Sequence, residues 1–191
     1  LGTVVAVMRV SPVPFLNKLG ALYVNVVRNT PLTLIIVFCN IGFVVNLGMS
    51  FSEDIARNNI IWAIIGLSWY HAAFVCEALR SGVNTIPTGQ AEAARSIGLT
   101  FGQSLTEVLL PQAFRGSITP LGNTLIALTK NTTIATAIGV AEISRVMKQV
   151  IDDRIDLLLP MVAVVAIGFV VLTLPVGLLT TRLSEKLAVK R

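Results

Sequence analysis

Apolar residues occur in four long runs that short polar stretches separate. The runs lie at Leu32–Met49, Ile60–Leu79, Ile118–Val140 and Leu157–Thr180, and each is close to the roughly 20 residues that a helix needs to cross a membrane. A shorter run, Leu1–Val10, is interpreted as the end of a first span whose beginning is missing. Because the runs lack the alternation of barrel strands, the sequence predicts an all-α membrane protein with five transmembrane helices, the first of them truncated.

The composition supports lipid as the main solvent of this chain. Of the 191 residues, 54% are hydrophobic and 13% are charged, whereas soluble domains carry about 25% charged residues. The net charge of +5 does not indicate nucleic-acid binding, because the basic residues form no patch with interleaved aromatic residues. No internal repeat or flexible linker interrupts the sequence, so residues 1–191 are predicted to form one domain.

Lysine and arginine are divided unequally between the two sides that the spans define. The richer side is predicted to be cytoplasmic, since cytoplasmic loops carry an excess of these residues. Residues 80–117 and the C-terminus then face the cytoplasm, whereas Ser50–Asn59 and Ala141–Asp156 face outward. The richer side has Arg9, Lys18, Arg28, Arg80, Arg95, Arg115, Arg182, Lys186, Lys190 and Arg191. The poorer side has Arg57, Arg145, Lys148 and Arg154.

The few residues that could ligate a metal do not form a set. Cys39 and Cys76 lie inside apolar runs at a spacing that fits neither a zinc site nor a redox pair. His71 is the only histidine, and it is interpreted as a buried polar residue of a span. The sequence therefore predicts no metal site.

The polar stretch at residues 80–117 contains a segment of small residues, GQAEAARSIG at 89–98, followed by VLLPQA at 108–113. The alanines predict a short helix that another backbone can approach closely, and Glu92 offers a carboxylate to basic groups of a partner. Gly98 can adopt a positive φ and end that helix, and Pro111 is not expected to continue one. The pattern predicts a compact projection on the cytoplasmic side.

This spacing resembles the Glu-Ala-Ala loop of ABC-type import permeases. The flanking segments RNTPL at 28–32, IPTGQ at 86–90, PLGN at 120–123 and KNTT at 130–133 are similar to motifs of the polar amino acid permeases. The chain therefore resembles the polar amino acid family of binding-protein-dependent ABC import permeases, from about Arg28 to Arg145.

The resemblance implies that residues 80–117 form a coupling loop, which sits in a cleft of a separate ATPase and passes the closure of the ATPases to the spans. The residues implied in this contact are Gly89, Gln90, Glu92, Ala93, Ala94, Arg95, Gly98, Leu110 and Pro111. It also implies an ABC ATPase dimer, a second identical or homologous permease subunit, an extracytoplasmic substrate-binding protein and a multi-pass location in a prokaryotic cell membrane. The alternative is an amphipathic hairpin lying on the lipid headgroups.

The chain itself contains no nucleotide-binding loop, because neither Gly-Lys-Ser nor Gly-Lys-Thr occurs. ATP and magnesium are therefore expected on the partner ATPase, and this chain is expected to bind no cofactor and to catalyse no reaction.

A charged residue in the middle of an apolar run marks the expected transport path. Lys130 lies about halfway along Ile118–Val140 and is followed by Asn131, Thr132 and Thr133. An ionised side chain costs about 2.5–3.5 kcal/mol at the bilayer centre, so its presence indicates function. We expect Lys130 to hold a substrate carboxylate while Asn131 and Thr132 supply hydrogen bonds. The alternative is a structural lysine that pairs with an acid such as Glu77.

Three further residues are assigned to the path with alternatives left open. Glu77 matches an acidic position of the family, but it also lies three residues from Arg80 and can be its salt-bridge partner. Arg28 and Asn29 are assigned to a gate at the cytoplasmic mouth, with an arginine that snorkels to the interface as the alternative.

Asn131 also bears on the choice of substrate. The family usually has aspartate after the lysine, and its absence makes the site more positive. This favours glutamate, followed by glutamine, over arginine or histidine. The charged outward loop Ala141–Asp156 is either a docking surface for the binding protein or a merely solvated loop.

Two functions of other classes remain as alternatives. A secondary transporter or channel would need no loop for a motor and often has repeated halves. A membrane scaffold would not need Lys130 and three polar neighbours inside a span.

Overall fold

The computed structural model describes residues 1–187, and every regular element in that range is a helix. The α-helices are α1 (Gly2–Val10), α2 (Pro14–Arg28), α3 (Leu32–Phe38), α4 (Ile55–Val83), α5 (Thr88–Ser96), α6 (Phe101–Gln103), α7 (Leu110–Gly116), α8 (Ile118–Asn131), α9 (Ile143–Asp153) and α10 (Leu158–Leu187). Two π-helical segments follow α3 and α6, at Cys39–Asn46 and Ser104–Leu109, and 3₁₀ turns lie at Thr132–Ile138 and Ile155–Leu157. The all-α prediction is confirmed for these residues. Lys190 and Arg191, which the sequence assigned to the cytoplasmic side, lie outside them.

Two predicted spans are long unbroken helices. Ile55–Val83 and Ile155–Leu187 are the two helices within residues 1–187 that are long and apolar enough to cross a membrane. A third span results if Pro14–Arg28 and Leu32–Asn46 are taken together across the break between them. The number of five spans therefore stays a prediction.

The predicted span at Ile118–Val140 is not one continuous α-helix. The α-helix ends at Asn131, and the chain continues as a 3₁₀ turn to Ile138, where Gly139 ends it with a φ of 83°. The change of helix type begins directly after Lys130 and Asn131, whose polar side chains also break the apolar run. Sequence periodicity alone did not show this break.

Helix α2 was not predicted, because its residues alternate between polar and apolar types without a long apolar run. It begins with a proline, which suits the first turn of a helix because the missing N–H would have no partner there. It ends before Pro31, whose preceding residue is disfavoured in the helical conformation. Thr30 stabilises this end, since its hydroxyl donates to the carbonyl of Val26 at 2.8 Å.

The chain divides into two compact units, and four helices, α2, α4, α8 and α10, contribute residues to both. The first unit, unit A, comprises Leu1–Asn25, Ala72–Leu125 and the described residues from Val176 onward. The second unit, unit B, comprises Val26–His71 and Ile126–Pro175.

Unit B has a continuous apolar core. Its buried residues come from α3, the following π-helical segment, the first half of α4 and the 3₁₀ turn, and they are Leu32, Ile36, Cys39, Trp62, Ala63, Leu67, Ala135 and Ile138. The ring of Trp62 stacks on that of Phe43 with a centroid distance of 5.2 Å. Ala135 and Ile138 anchor the 3₁₀ turn in this core, so the polar residues that precede it are held by a packed support.

Unit A depends on close approach between backbones. A Cβ atom on Gly82 of α4 would collide with the carbonyl of Ala113 and the hydroxyl of Ser117. A Cβ atom on Gly116 would lie 2.8 Å from the hydroxyl of Thr85 and 3.3 Å from the Cα of Gly82. Small residues at a crossing allow helices to pack backbone to backbone, and here they join α7 to the end of α4.

Candidate functional site

The residues Lys130, Asn131, Thr132 and Thr133 form a polar turn at the end of α8, where the α-helix becomes 3₁₀. Lys130 and Thr132 are exposed, and Asn131 and Thr133 are partly buried. The ammonium group of Lys130 makes no ion pair or hydrogen bond within residues 1–187. The roles of Lys130 as a substrate contact and, alternatively, as a structural partner of an acid such as Glu77 both stay predictions.

The two threonine hydroxyls of the polar turn bond to the backbone of their own helix. Thr132 donates to the carbonyl of Thr129 at 2.8 Å, and Thr133 donates to the carbonyl of Lys130 at 2.9 Å. These bonds satisfy carbonyls that lose their partners where α8 ends. Each hydroxyl has thereby used its only hydrogen, so toward a ligand it can act only as an acceptor.

Asn131 is held by a residue that the sequence did not assign to the path. Its Nδ2 lies 3.2 Å from Nε2 of His71, which is 5% exposed on α4. The rings of Tyr70 and His71 pack nearly perpendicular to each other, with a centroid distance of 5.3 Å. The available signal was a polar residue inside an apolar run, the same signal that identified Lys130.

Glu77 belongs to an ion-pair cluster in unit A. The Nε and Nη2 atoms of Arg80 donate to its two carboxylate oxygens at 3.1 and 3.0 Å, and Nη1 of Arg9 lies 3.7 Å from Oε1. This is the salt-bridge alternative for Glu77, extended by a second arginine. A role of Glu77 in the path stays a prediction.

Arg28 and Asn29 lie at the end of α2, next to the break at residues 29–31, and both are exposed. A break between two helices is a place where the backbone can change direction, as a gate requires. Their assignment to a gate stays a prediction.

Helix α5 contains the predicted coupling segment and presents it to solvent. Gly89, Gln90, Glu92, Ala93, Arg95 and Gly98 are exposed, whereas Ala94 is buried. Gly98 has a φ of 84°, as the sequence predicted. Its N–H donates to the carbonyl of Arg95, and the N–H of Leu99 donates to that of Ala94, which together form the Schellman motif that ends a helix.

The expectation for Pro111 was wrong. Pro111 does not end a helix; it lies in the first turn of α7, and the π-helical segment Ser104–Leu109 precedes it. Proline is tolerated in a first turn because it removes an N–H that often has no partner there. Pro111 is exposed and Leu110 is partly buried, and Gln112 Nε2 donates to Gln90 Oε1 at 3.4 Å, which links α7 to α5.

The segment that follows the 3₁₀ turn is an amphipathic helix and not an irregular loop. Glu142 caps α9 by accepting from the N–H groups of Ser144 and Arg145 at 2.9 and 3.0 Å. It also accepts a short hydrogen bond from the hydroxyl of Thr136 in the 3₁₀ turn. Arg145 donates to the carbonyl of Gly139 at 2.6 Å. Glu142 and Arg145 thus tie α9 to the turn that supports Lys130.

Beyond α9, Arg154 and Asp156 form an exposed ion pair at 2.8 Å. The hydrogen bond from this guanidinium to the Asp156 carboxylate raises the pKa of Arg154 above its usual value.

No group of three or more histidine, cysteine or acidic residues within residues 1–187 is arranged to hold a metal ion. The polar groups of the two candidate regions are instead suited to reversible contacts. The polar turn offers one ammonium group, one amide and hydroxyl acceptors, and α5 offers exposed small residues with one carboxylate and one guanidinium.

Known proteins are similar to this chain over nearly its whole length. Residues 1–189 match the family described as binding-protein-dependent transport system inner membrane component. The chain is 52% identical over 196 residues to the glutamate transport system permease protein GluC of Corynebacterium efficiens, covering 100% of this chain and 86% of that protein. It is 51% identical over 195 residues to GluC of Corynebacterium glutamicum, with the same two coverages.

The fold also has a solved counterpart. The crystal structure of an amino acid ABC transporter with histidines superposes with a TM-score of 0.80 at 26% identity, covering 97% of this chain and 83% of that one. The match over 189 of the 191 residues, with the Glu-Ala-Ala loop and the amino acid permease motifs in place, shows that the chain belongs to the family of binding-protein-dependent transport system inner membrane components, as an ABC import permease of the polar amino acid type.

Proposed function

We propose that this chain forms the translocation path of an ATP-driven importer whose substrate is glutamate. The observation that carries the choice of substrate is the polar turn, where the Lys130 ammonium has no acidic partner within residues 1–187 and an amide replaces the acid that usually follows it. The names of the two GluC relatives point to the same substrate. A carrier or channel without a motor is not the family to which the chain belongs.

The polar turn suits an acidic amino acid by charge. Lys130 offers the positive charge for a carboxylate, and the acceptor lone pairs of the Thr132 hydroxyl suit an ammonium group. A hydrogen bond to a charged group has a net contribution of about 1.5–3 kcal/mol. Arginine as a substrate would bring a second positive charge next to Lys130, and Coulomb repulsion then opposes its binding.

The helix α5 is proposed as the contact for the motor. Its exposed Glu92 and Arg95 provide charges for a partner, and the small residues around them allow close approach. The partners of this proposal are an ABC ATPase dimer that binds ATP and magnesium, and a second permease subunit, identical or homologous. The chain itself catalyses no reaction, and α5 and the C-terminus face the cytoplasm.

The helix α9 is proposed as the contact for the substrate-binding protein. It lies in the stretch that the charge distribution places outside, and it begins five residues after the 3₁₀ turn ends. The hydrogen bond from Thr136 to Glu142 links α9 to the 3₁₀ turn. A force on α9 therefore acts on the turn that follows the polar residues.

The substrate is tested with the complete importer in proteoliposomes, with radiolabelled glutamate, glutamine and arginine as separate substrates. We expect uptake that requires ATP and the binding protein, and that is fastest with glutamate. Lys130→Met is expected to lower glutamate uptake by about tenfold or more, since the loss of one charge-assisted bond corresponds to that factor. Lys130→Arg keeps the charge and should retain a larger share. Uptake without ATP, or faster uptake of glutamine, would contradict the respective part of the proposal.

The motor contact is tested with a matched pair of variants. Glu92→Gln and Glu107→Gln each remove one exposed carboxylate from the stretch 80–117. Only Glu92→Gln is expected to reduce the amount of ATPase that copurifies with the permease. Equal losses in both variants would show that α5 has no special role.

A further inference from the structure

The histidine on α4 contacts the one residue of the polar turn that has an amide. His71 is 5% exposed, although histidine carries two polar ring nitrogens and the surrounding segment is apolar. Its Nε2 atom lies 3.2 Å from Nδ2 of Asn131. Both residues belong to unit B.

The contact joins two nitrogens, and this restricts the chemistry of both groups. A side-chain amide nitrogen is only a donor, so in the amide orientation of this structure Nε2 is the acceptor, which corresponds to a neutral ring whose hydrogen is on Nδ1. The amide is planar, and fixing its nitrogen fixes the plane in which its oxygen lies. The Oδ1 atom of Asn131 makes no hydrogen bond within residues 1–187.

The neighbouring side chains differ from this oxygen in what orients them. The Thr132 and Thr133 hydroxyls are also acceptors, but they are oriented by their bonds to carbonyls of the same segment, and Lys130 is only a donor. The Oδ1 atom of Asn131 is therefore an acceptor of the polar turn whose orientation is set from another helix. It suits the α-ammonium group that every amino acid substrate carries.

We propose that His71 is a positioning residue of the substrate path, which orients the Asn131 amide so that its oxygen accepts from the substrate ammonium; this rests on the transport function proposed above. His71 does not touch the substrate itself. The polar turn then presents Lys130 to a carboxylate and Asn131 to the ammonium group, which together recognise an amino acid zwitterion.

The chain offers a matched pair of substitutions for a test. Glutamine places its amide group near the position of Nε2 of a histidine, whereas the shorter asparagine places it near Nδ1. His71→Gln can therefore keep a hydrogen bond to Asn131, and His71→Asn cannot, although both variants stay polar and neutral.

Transport by the complete importer gives the first measurement. We expect His71→Asn to lower the maximal rate of glutamate uptake by about tenfold, with an unchanged concentration of loaded binding protein at half-maximal rate. His71→Gln should restore at least half of the rate. Asn131→Ala should lower the rate as much as His71→Asn, and the double variant should lower it no further. Equal rates of the two His71 variants, or additive losses in the double variant, would overturn the proposal.

The second measurement does not depend on transport, because His71 is the only histidine of the chain. Selective ¹⁵N labelling of histidine in this chain, with tags removed and partner subunits unlabelled, reports the two ring nitrogens by NMR. We expect a neutral ring protonated on Nδ1, with an Nε2 signal that shifts in Asn131→Ala. A ring protonated on Nε2, or an Nε2 signal unaffected by Asn131→Ala, would contradict the positioning role. An importer that shows this signature but takes up no glutamate would instead contradict the proposed function.

Discussion

The helix α5 and the polar turn at residues 130–133 both interrupt the apolar sequence, but they are fixed in different ways. The backbone hydrogen bonds that end α5 lie within seven residues of sequence, between Ala93 and Leu99. The polar turn depends on distant residues, since Asn131 contacts His71 across 60 positions. A locally determined segment can present its surface to a partner without rearrangement of the core, whereas a turn fixed from another helix changes when that helix moves.

The backbone contact that supports α7 is expected to give the largest effect. Gly82→Val places a side chain against the Ala113 carbonyl and Ser117, and overpacking of this kind costs about 3 kcal/mol or more where backbone blocks relaxation. Thermal unfolding of the purified permease in detergent measures the loss. Gly102→Val is the control, because nothing lies within 4 Å of its added Cβ. Similar unfolding temperatures of the two variants would show that the glycine crossing does not hold α4 and α7 together.

The link between α9 and the polar turn is expected to give the next effect. Glu142→Leu removes the helix cap and the acceptor for Thr136, with a combined cost of about 2 kcal/mol. Glu142→Gln keeps acceptor capacity and should lose less than half as much. Hydrogen exchange at residues 132–138 measures the opening. Unchanged exchange in Glu142→Leu would mean that the 3₁₀ turn is held by the core alone.

The local character of α5 is tested by a pair of glycine variants. Gly98→Ala puts a Cβ on a residue with a φ of 84°, which costs about 1–2 kcal/mol. Gly102→Ala lies in a helix and should be neutral or stabilising by up to about 1 kcal/mol. Limited proteolysis of residues 88–100 measures the difference. Because no neighbour lies within 4 Å of either added Cβ, equal cleavage rates would contradict a backbone origin of the effect.

The exposed ion pair after α9 should give the smallest effect. Arg154→Gln removes the partner of Asp156, and solvent-exposed pairs contribute little to stability. We expect no measurable change in Tm and none in uptake. A clear loss of uptake with an unchanged Tm would identify Arg154 as a contact for the binding protein.

The same contrast explains which features the sequence could predict. The end of α5 at Gly98 was predictable because one residue with a positive φ determines it, and Lys130 was conspicuous as a charge in an apolar run. The contact between His71 and Asn131 was not predictable, since nothing in the sequence pairs position 71 with position 131. The 3₁₀ turn and the glycine crossing were missed for a similar reason, because packing between distant segments decides them.

The proline at position 111 shows the limit of a rule based on one residue. Proline disfavours a helix interior, and the sequence therefore suggested an end at Pro111. In the structure it falls in the first turn of α7, where its missing N–H is tolerated. Whether a proline ends or begins a helix depends on where the preceding helical segment stops. Here the preceding segment is π-helical, and it stops at Leu109, two residues before Pro111.

The two native thiols lie inside the fold, with Cys39 exposed by 6% and Cys76 by 0%. A membrane-impermeant maleimide should therefore leave the natural chain largely unmodified, and a single cysteine introduced on α5 or α9 becomes the reactive position without prior removal of native ones. Intact cells that carry such a chain, with one introduced cysteine beside the two buried ones, can report which face of the membrane each helix occupies.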